Sequence, residues 1–128
     1  MIYLLDTHTF LWILREPFRL PRKIREYAMN PDLKLAISLV TPWEMAIKSA
    51  LGKLEVGSLL DNFEALVTQS GYILLETTPH QVIHSGHHPF HHRDPFDRLL
   101  AAQALELDAP LLSRDAVFDL YGVKRIWE

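Results

Sequence analysis

The chain contains no cysteine among its 128 residues. That absence excludes disulfide scaffolds, thiolate zinc sites and cysteine nucleophiles together. No apolar run approaches the ~18 residues that a membrane-spanning helix needs. The opening residues, MIYLLD, lack a basic segment and reach an acid at once, so they do not read as a secretory signal. Repeats, linkers and low-complexity segments are missing apart from a histidine-rich stretch. Positive charge is also in short supply: 13 Lys and Arg against 16 Asp and Glu leave a net charge of −3. That balance argues against a general nucleic-acid coat, though it leaves room for a local basic strip. With 48% hydrophobic residues the chain can bury a core without a structural metal. One cytoplasmic domain spanning residues 1–128, with no membrane partner, is the expectation.

Short apolar runs alternate with helical patterns along the chain. Ile2–Leu5 reads as a buried strand that ends at Asp6, with a helix over 8–14 directly after it. A second helix is expected over 21–30, stopped by Pro31, and a strand over 35–39. Thr41-Pro42-Trp43-Glu44 opens a helix that runs to Leu51 before Gly52, and residues 58–61 open another that Gly71 ends. A strand over 72–75, a helix over 79–85, a strand over 110–112, a short helix over 115–120 and a strand over 123–127 follow. The most apolar helix spans 95–107, with Asp94 as its N-cap and Pro95 at its first position. Asp97, Ala101, Ala104 and Asp108 share one face of it, and the two alanines permit close approach to whatever the face meets. Strands alternating with helices predict an α/β fold, a parallel sheet covered on both faces. In such sheets, sites form beyond the carboxyl ends of the strands.

Four acids fall at those ends: Asp6, Glu44, Asp97 and Asp115. Each also has a plain structural reading. Thr41 with Glu44 spells a capping box, Asp94 with Asp97 imitates one, and Ser113 with Asp115 can cap the last short helix. Acids in a first helical turn also oppose the helix dipole, worth roughly 0.3–1 kcal/mol each. Taken together they read differently, because a parallel sheet gathers the helix starts that follow its strands on one edge. Carboxylates brought that close repel one another, and a hard cation relieves the repulsion. Oxygen donors without thiolates point to Mg²⁺ or Mn²⁺.

DTHTFLW at Asp6, SLVTPWEMAIK around Glu44, HRDPFDRLLAAQA around Asp97 and LLSRD at Asp115 resemble the PIN-domain family. The likeness is greatest to the VapC-like ribonuclease toxins of prokaryotic toxin–antitoxin pairs. It covers essentially the whole chain, in order. It implies a three-layer α/β/α sandwich with a short central parallel sheet. It further implies a Mg²⁺- or Mn²⁺-dependent endoribonuclease, a homodimer, and a cognate antitoxin that neutralises it. By the same likeness Asp6, Glu44 and Asp97 are metal ligands and catalytic acids, and Asp115 is the fourth, more variable one. Asp94 belongs to the motif but is not among the acids carried over. Ser113 stands where the family often has threonine.

Arg15, Arg19, Arg22, Lys23 and Arg25, with Lys48, Arg93 and Arg98, can guide RNA phosphates toward an acidic centre that would otherwise repel them. Their plain reading is a solvated surface. Six of the seven histidines lie between residues 80 and 92. His80, His84 and His88 share helical spacing suited to zinc or nickel, but Gly86 and Pro89 interrupt that helix. A surface loop beside the acid edge is the preferred reading there. Trp12, Trp43, Phe10 and Tyr3 sit among apolar neighbours and are expected to pack in the core or an interface. A non-enzymatic alternative is a phosphoacceptor receiver domain, which shares a parallel sheet and an acidic edge. It wants paired acids after the first strand, where only Asp6 stands.

Overall fold

The computed structural model of the chain describes residues 1–87 and 94–128. Strands β1 (Ile2–Leu5), β2 (Lys34–Ser38), β3 (Ile73–Leu75), β4 (Leu111–Leu112) and β5 (Arg125–Ile126) form one sheet in the order β3-β2-β1-β4-β5. All four pairings are parallel. Helices α1 (Thr7–Arg15), α2 (Arg22–Met29), α3 (Val40–Ala50), α4 (Phe63–Gln69), α5 (Pro79–Ser85) and α6 (Pro95–Glu106) connect them. The last short helix is a 3₁₀ segment, Ala116–Tyr121.

Register explains why the strands read as unbroken apolar runs. Leu4 pairs with Ala36 and Leu111, and Leu5 with Ile37 and Leu112. Successive side chains point to opposite faces, so these two rows serve two separate cores. Leu5, Ile37 and Leu112 meet Phe10 and Leu11 of α1, Ile24 of α2, Met45 of α3 and Phe63 and Val67 of α4. Leu4, Ala36 and Leu111 meet Leu100, Ala101 and Ala104 of α6, with Phe118 and Tyr121 of the 3₁₀ segment. The result is the expected three-layer α/β/α sandwich around a parallel sheet. Its strand order differs from the 2-1-3-4-5 order of receiver-type folds, which removes the phosphoacceptor alternative.

Local differences from the sequence reading have identifiable causes. Residues 58–62 form turns rather than a helix start, and α4 begins only at Phe63, whose ring is needed in the first core. Gly52 and Gly71 adopt positive φ, +71° and +82°, just after α3 and α4, as stop residues do. Asp108 lies beyond the end of α6, at φ +49°, and pairs at the surface with Lys124 rather than sharing the buried face of Ala101 and Ala104. Trp43 is 49% exposed and packs edge-on against Phe96 at 4.5 Å, whereas Phe10 is fully buried. The segment 88–93, which holds His88, His91, His92 and Arg93, lies outside the described residues.

The small residues of α6 let its backbone come close to the sheet, and bulk there has nowhere to go. Ala101→Leu should therefore lower stability by about 1–3 kcal/mol through overpacking. A lower urea midpoint at unchanged m is the expected result; an unshifted midpoint would mean that this face has slack.

Candidate active site

The carboxyl ends of β1 and β4 meet at the point where the chain turns to opposite sides of the sheet, and the first acid stands there. Asp6 follows β1 directly and caps α1, accepting a hydrogen bond from the Thr9 amide at 2.9 Å. Its other carboxylate oxygen accepts from Ser113 Oγ at 2.5 Å. Thr9 Oγ1 donates to the Leu112 carbonyl at 2.8 Å, so the loops after β1 and β4 are laced together. Asp6 is only 7% exposed, and burial pushes its carboxyl up although the Ser113 and Thr9 hydrogen bonds pull the other way. Ser113 Oγ also accepts the Asp115 amide at 3.0 Å. Asp115 in turn caps the 3₁₀ segment through the Val117 amide at 3.0 Å and remains exposed.

Glu44 does not form the capping box that Thr41 suggests. α3 begins at Val40 after Leu39, without a side-chain cap, so both residues lie inside the helix. The Glu44 carboxylate is buried and is held from two sides instead. Thr7 Oγ1 donates to Oε1 at 2.6 Å, and Lys48 Nζ, one turn along α3, approaches Oε2 at 2.5 Å. Lys48 reaches Asp94 Oδ2 as well, at 3.2 Å. It is thus committed within the site and not poised for RNA phosphates. Burial opposes the Lys48 charge, but hydrogen bonding and attraction from Glu44 and then Asp94 outweigh it and hold the ammonium above its usual range.

Asp94 caps α6 as its sequence position predicts, Oδ1 accepting from the Phe96 and Asp97 amides at 2.9 and 3.4 Å. Its second oxygen makes it more than a cap. One carboxylate oxygen each from Glu44, Asp94 and Asp97 lie within 4.8 Å of one another. Asp97, in the first turn of α6, is pushed up to about 8. Burial is the largest cause, followed by the negative charges of Asp94, Glu44 and Asp6, with Lys48 the opposing influence.

All four acids singled out in the sequence, Asp6, Glu44, Asp97 and Asp115, line one cleft of about 500 Å³, and Asp94 joins them. They are not equivalent. Glu44, Asp94 and Asp97 form the tight group; both oxygens of Asp6 are engaged with Thr9 and Ser113; Asp115 sits at the rim. Among the described residues, Lys48 and Arg114 bring permanent positive charge to the lining. The donor set is carboxylate oxygen throughout, which fits a hard divalent ion and not a thiophilic one. Asp94 and Lys48 were missed as site residues, yet each left a trace. Glu and Lys four apart face each other on a helix, and an N-cap with its third residue along forms one pair at the helix start.

Among the described residues the Arg and Lys side chains of α1 and α2 do not line the cleft, whereas Trp12 does. Arg15 donates to the Glu55 carbonyl, Arg19 pairs with Glu16 and Arg22 with Glu26. His80 and His84 stack at 5.7 Å along α5, and among the described residues the metal-capable grouping is the acidic one.

The model of the PIN domain matches residues 3–124. No curated protein matches in sequence. Solved structures agree with the fold. VapBC2 from Rickettsia felis, bound to a DNA fragment from its promoter, superposes with a TM-score of 0.71 at 16% identity over 100% of both chains. VapBC-1 from nontypeable Haemophilus influenzae gives 0.66 at 22% identity, covering 98% of this chain and 97% of that one. FitAcB from Neisseria gonorrhoeae gives 0.60 at 18%, covering 98% and 96%.

The raised Asp97 carboxyl makes stability depend on pH in a defined sense. Folded Asp97 keeps its proton up to about 8, whereas the unfolded chain releases it near 3.8. Its contribution is complete below about pH 4 and is lost as pH rises toward about pH 8. Without divalent ions, the melting temperature should fall across that window, and Asp97→Asn should fall less and melt above the wild type at its upper end. Scanning fluorimetry giving parallel pH profiles for the two proteins would dissolve the idea of a crowded acid.

Proposed function

Because this chain belongs to the PIN domain family, we propose that it is a Mg²⁺- or Mn²⁺-dependent endoribonuclease and the toxin of a toxin–antitoxin pair. One observation carries the reading: among the described residues five carboxylates converge on a single cleft, three of them within 4.8 Å of one another, against one ion-paired lysine and one arginine. A chain gains nothing in stability by burying such a set, so the set is explained by what it holds.

Glu44 and Asp97 would hold the ion together with Asp6 and Asp115. Asp94, with a carboxylate oxygen within 4.8 Å of those of Glu44 and Asp97, would join these two. A divalent ion among them would relieve charge on the phosphodiester oxygens and lower the pKa of an attacking water. The protein's own part is to keep the donors in place. Thr7 and Lys48 fix the two oxygens of Glu44, Ser113 and the Thr9 amide fix those of Asp6, and the α6 amides fix one oxygen of Asp94. Restraint of this kind is what positions ligands around a metal, and losing such a partner typically costs about 10–100-fold. No strong base among the side chains is required, since the attacking group is activated electrostatically.

The VapBC and FitAcB structures that share this fold are complexes with partner proteins, in one case bound to DNA. They support a cognate antitoxin for this chain, and a homodimer is proposed with it. A basic or aromatic segment of the antitoxin lying in the acidic cleft would both block the site and complement its charge.

The test is cleavage of a single-stranded RNA by the purified chain. Cleavage should require Mn²⁺ or Mg²⁺ and stop with EDTA. Asp97→Asn should reduce it by roughly a hundredfold or more, and Asp94→Asn by about tenfold, because Asn keeps the cap but loses the charge. Asp61→Asn, exposed and remote from the cleft, is the control. RNA cut equally well in EDTA, or by Asp97→Asn as fast as by Asp61→Asn, would end the nuclease reading.

A further inference from the structure

A polyanionic substrate must approach five acids, so the cations beside the cleft decide how it gets there. Lys48 is bound to Glu44 and Asp94. Arg125 is spent on Asp119, at 3.0 and 3.1 Å, and on the Ser113 carbonyl. Arg19 pairs with Glu16. Arg114 is different: it is exposed and makes no ion pair or side-chain hydrogen bond among the described residues. It lies between Ser113, which holds Asp6, and Asp115, so its guanidinium is carried on the rim of the acid cleft itself.

Arg114 also links that cleft to what lies next to it. Two further depressions, of about 430 and 470 Å³, are lined by Arg114 together with Trp127. Trp127 stands 5.9 Å from Trp12, and Trp12 lines the acid cleft. His8 extends the aromatic row at 6.0 Å, while Arg19 lies over the Trp12 ring at 5.7 Å. An uncommitted guanidinium, a row of rings and a path into an acidic centre are together unlike a solvated surface or a closed core. Glu128 also borders both depressions, so a phosphate is expected on the Arg114 side of them.

We propose that Arg114 and Trp127, with Trp12 behind them, form a subsite for single-stranded RNA beside the acid cleft. Arg114 takes the backbone phosphate and the Trp127 indole takes a base. The proposal rests on the ribonuclease reading and deepens it by naming where the strand enters. Single strands are specified because a base must leave its helical stack to lie on an indole. Arg suits the phosphate because its planar fork of donors matches two phosphate oxygens at once.

Binding can be measured apart from cleavage, by fluorescence anisotropy of a labelled oligouridylate in EDTA. Arg114→Gln should weaken binding severalfold and reduce the salt slope by about one ion. Trp127→Leu should weaken it by about tenfold or more. Trp127→Phe keeps a ring for both core and base and should recover most of that loss. Lys34→Gln, exposed at the amino end of β2 and so at the opposite edge of the sheet from the cleft, should bind as the wild type does. Unchanged affinity in Arg114→Gln and Trp127→Leu would overturn the subsite, as would duplex RNA binding as tightly as the single strand. Absence of RNA binding by the wild type in EDTA would overturn it even if Mn²⁺ restored cleavage. Binding that follows the expected variant pattern without any cleavage would keep the subsite and remove the nuclease.

Discussion

Repulsion among carboxylates is the constraint around which the carboxyl edge of the sheet is arranged. Asp6, Glu44, Asp94, Asp97 and Asp115 share one cleft, and burial weakens the water that would otherwise screen them. The chain meets this cost in distinct ways. Asp6 receives two hydrogen bonds, Glu44 and Asp94 share the Lys48 ammonium, and Asp97 is held as an acid whose proton persists to about pH 8. None of these devices removes the charge excess. That remaining excess is what a divalent cation among the acids would relieve.

The fold supplies the rigidity such a site demands. β1 and β4 are adjacent, so the loops that leave them can be tied by Ser113 to Asp6 and by Thr9 to the Leu112 carbonyl. α6 lies close against the sheet through Ala101 and Ala104, which sets the height at which Asp97 enters the cleft. Two cores, one on each face, bear the stability of the whole. The acids can therefore be strained by proximity without unfolding the chain, because Leu4 and Leu5 before Asp6, Met45 beside Glu44, Leu100 and Ala101 after Asp97 and Phe118 after Asp115 are buried in those cores.

Electrostatics also orders the surroundings. A centre this acidic repels nucleic acid at short range, and the basic residues of α2 do not line the cleft among the described residues. Lys48 lines the cleft, but geometry gives its charge to Glu44 and Asp94 and not to a ligand. Among the described residues of the lining, the uncommitted positive charge is that of Arg114, carried by the same loop that holds Asp115. Acid and base are thus interleaved residue by residue after β4, with Ser113, Arg114 and Asp115 each turned to a separate task.

Much of this was legible in the residues themselves. Strand and helix order, the parallel sheet and the four acids follow from period-two and helical patterning, caps and stop residues, since those signals are local and depend on nearest neighbours. The likeness of the four motifs to the PIN-domain family added the fold and the chemistry expected of it. What the residues alone did not reveal is pairing across long separations in the chain. Thr41 and Glu44 spell a capping box, yet Thr7, 37 residues away, and Lys48 take the Glu44 carboxylate. Asp94 reads as a cap and is one, but its second oxygen meets α3 only once α6 has docked. Arg114 stands inside the LLSRD motif, but its meeting with Trp127 beyond β5 is spelled by no motif. A side chain's local role is set by its own backbone, while its partner is set by which elements the sheet brings together, and that is decided only by tertiary packing.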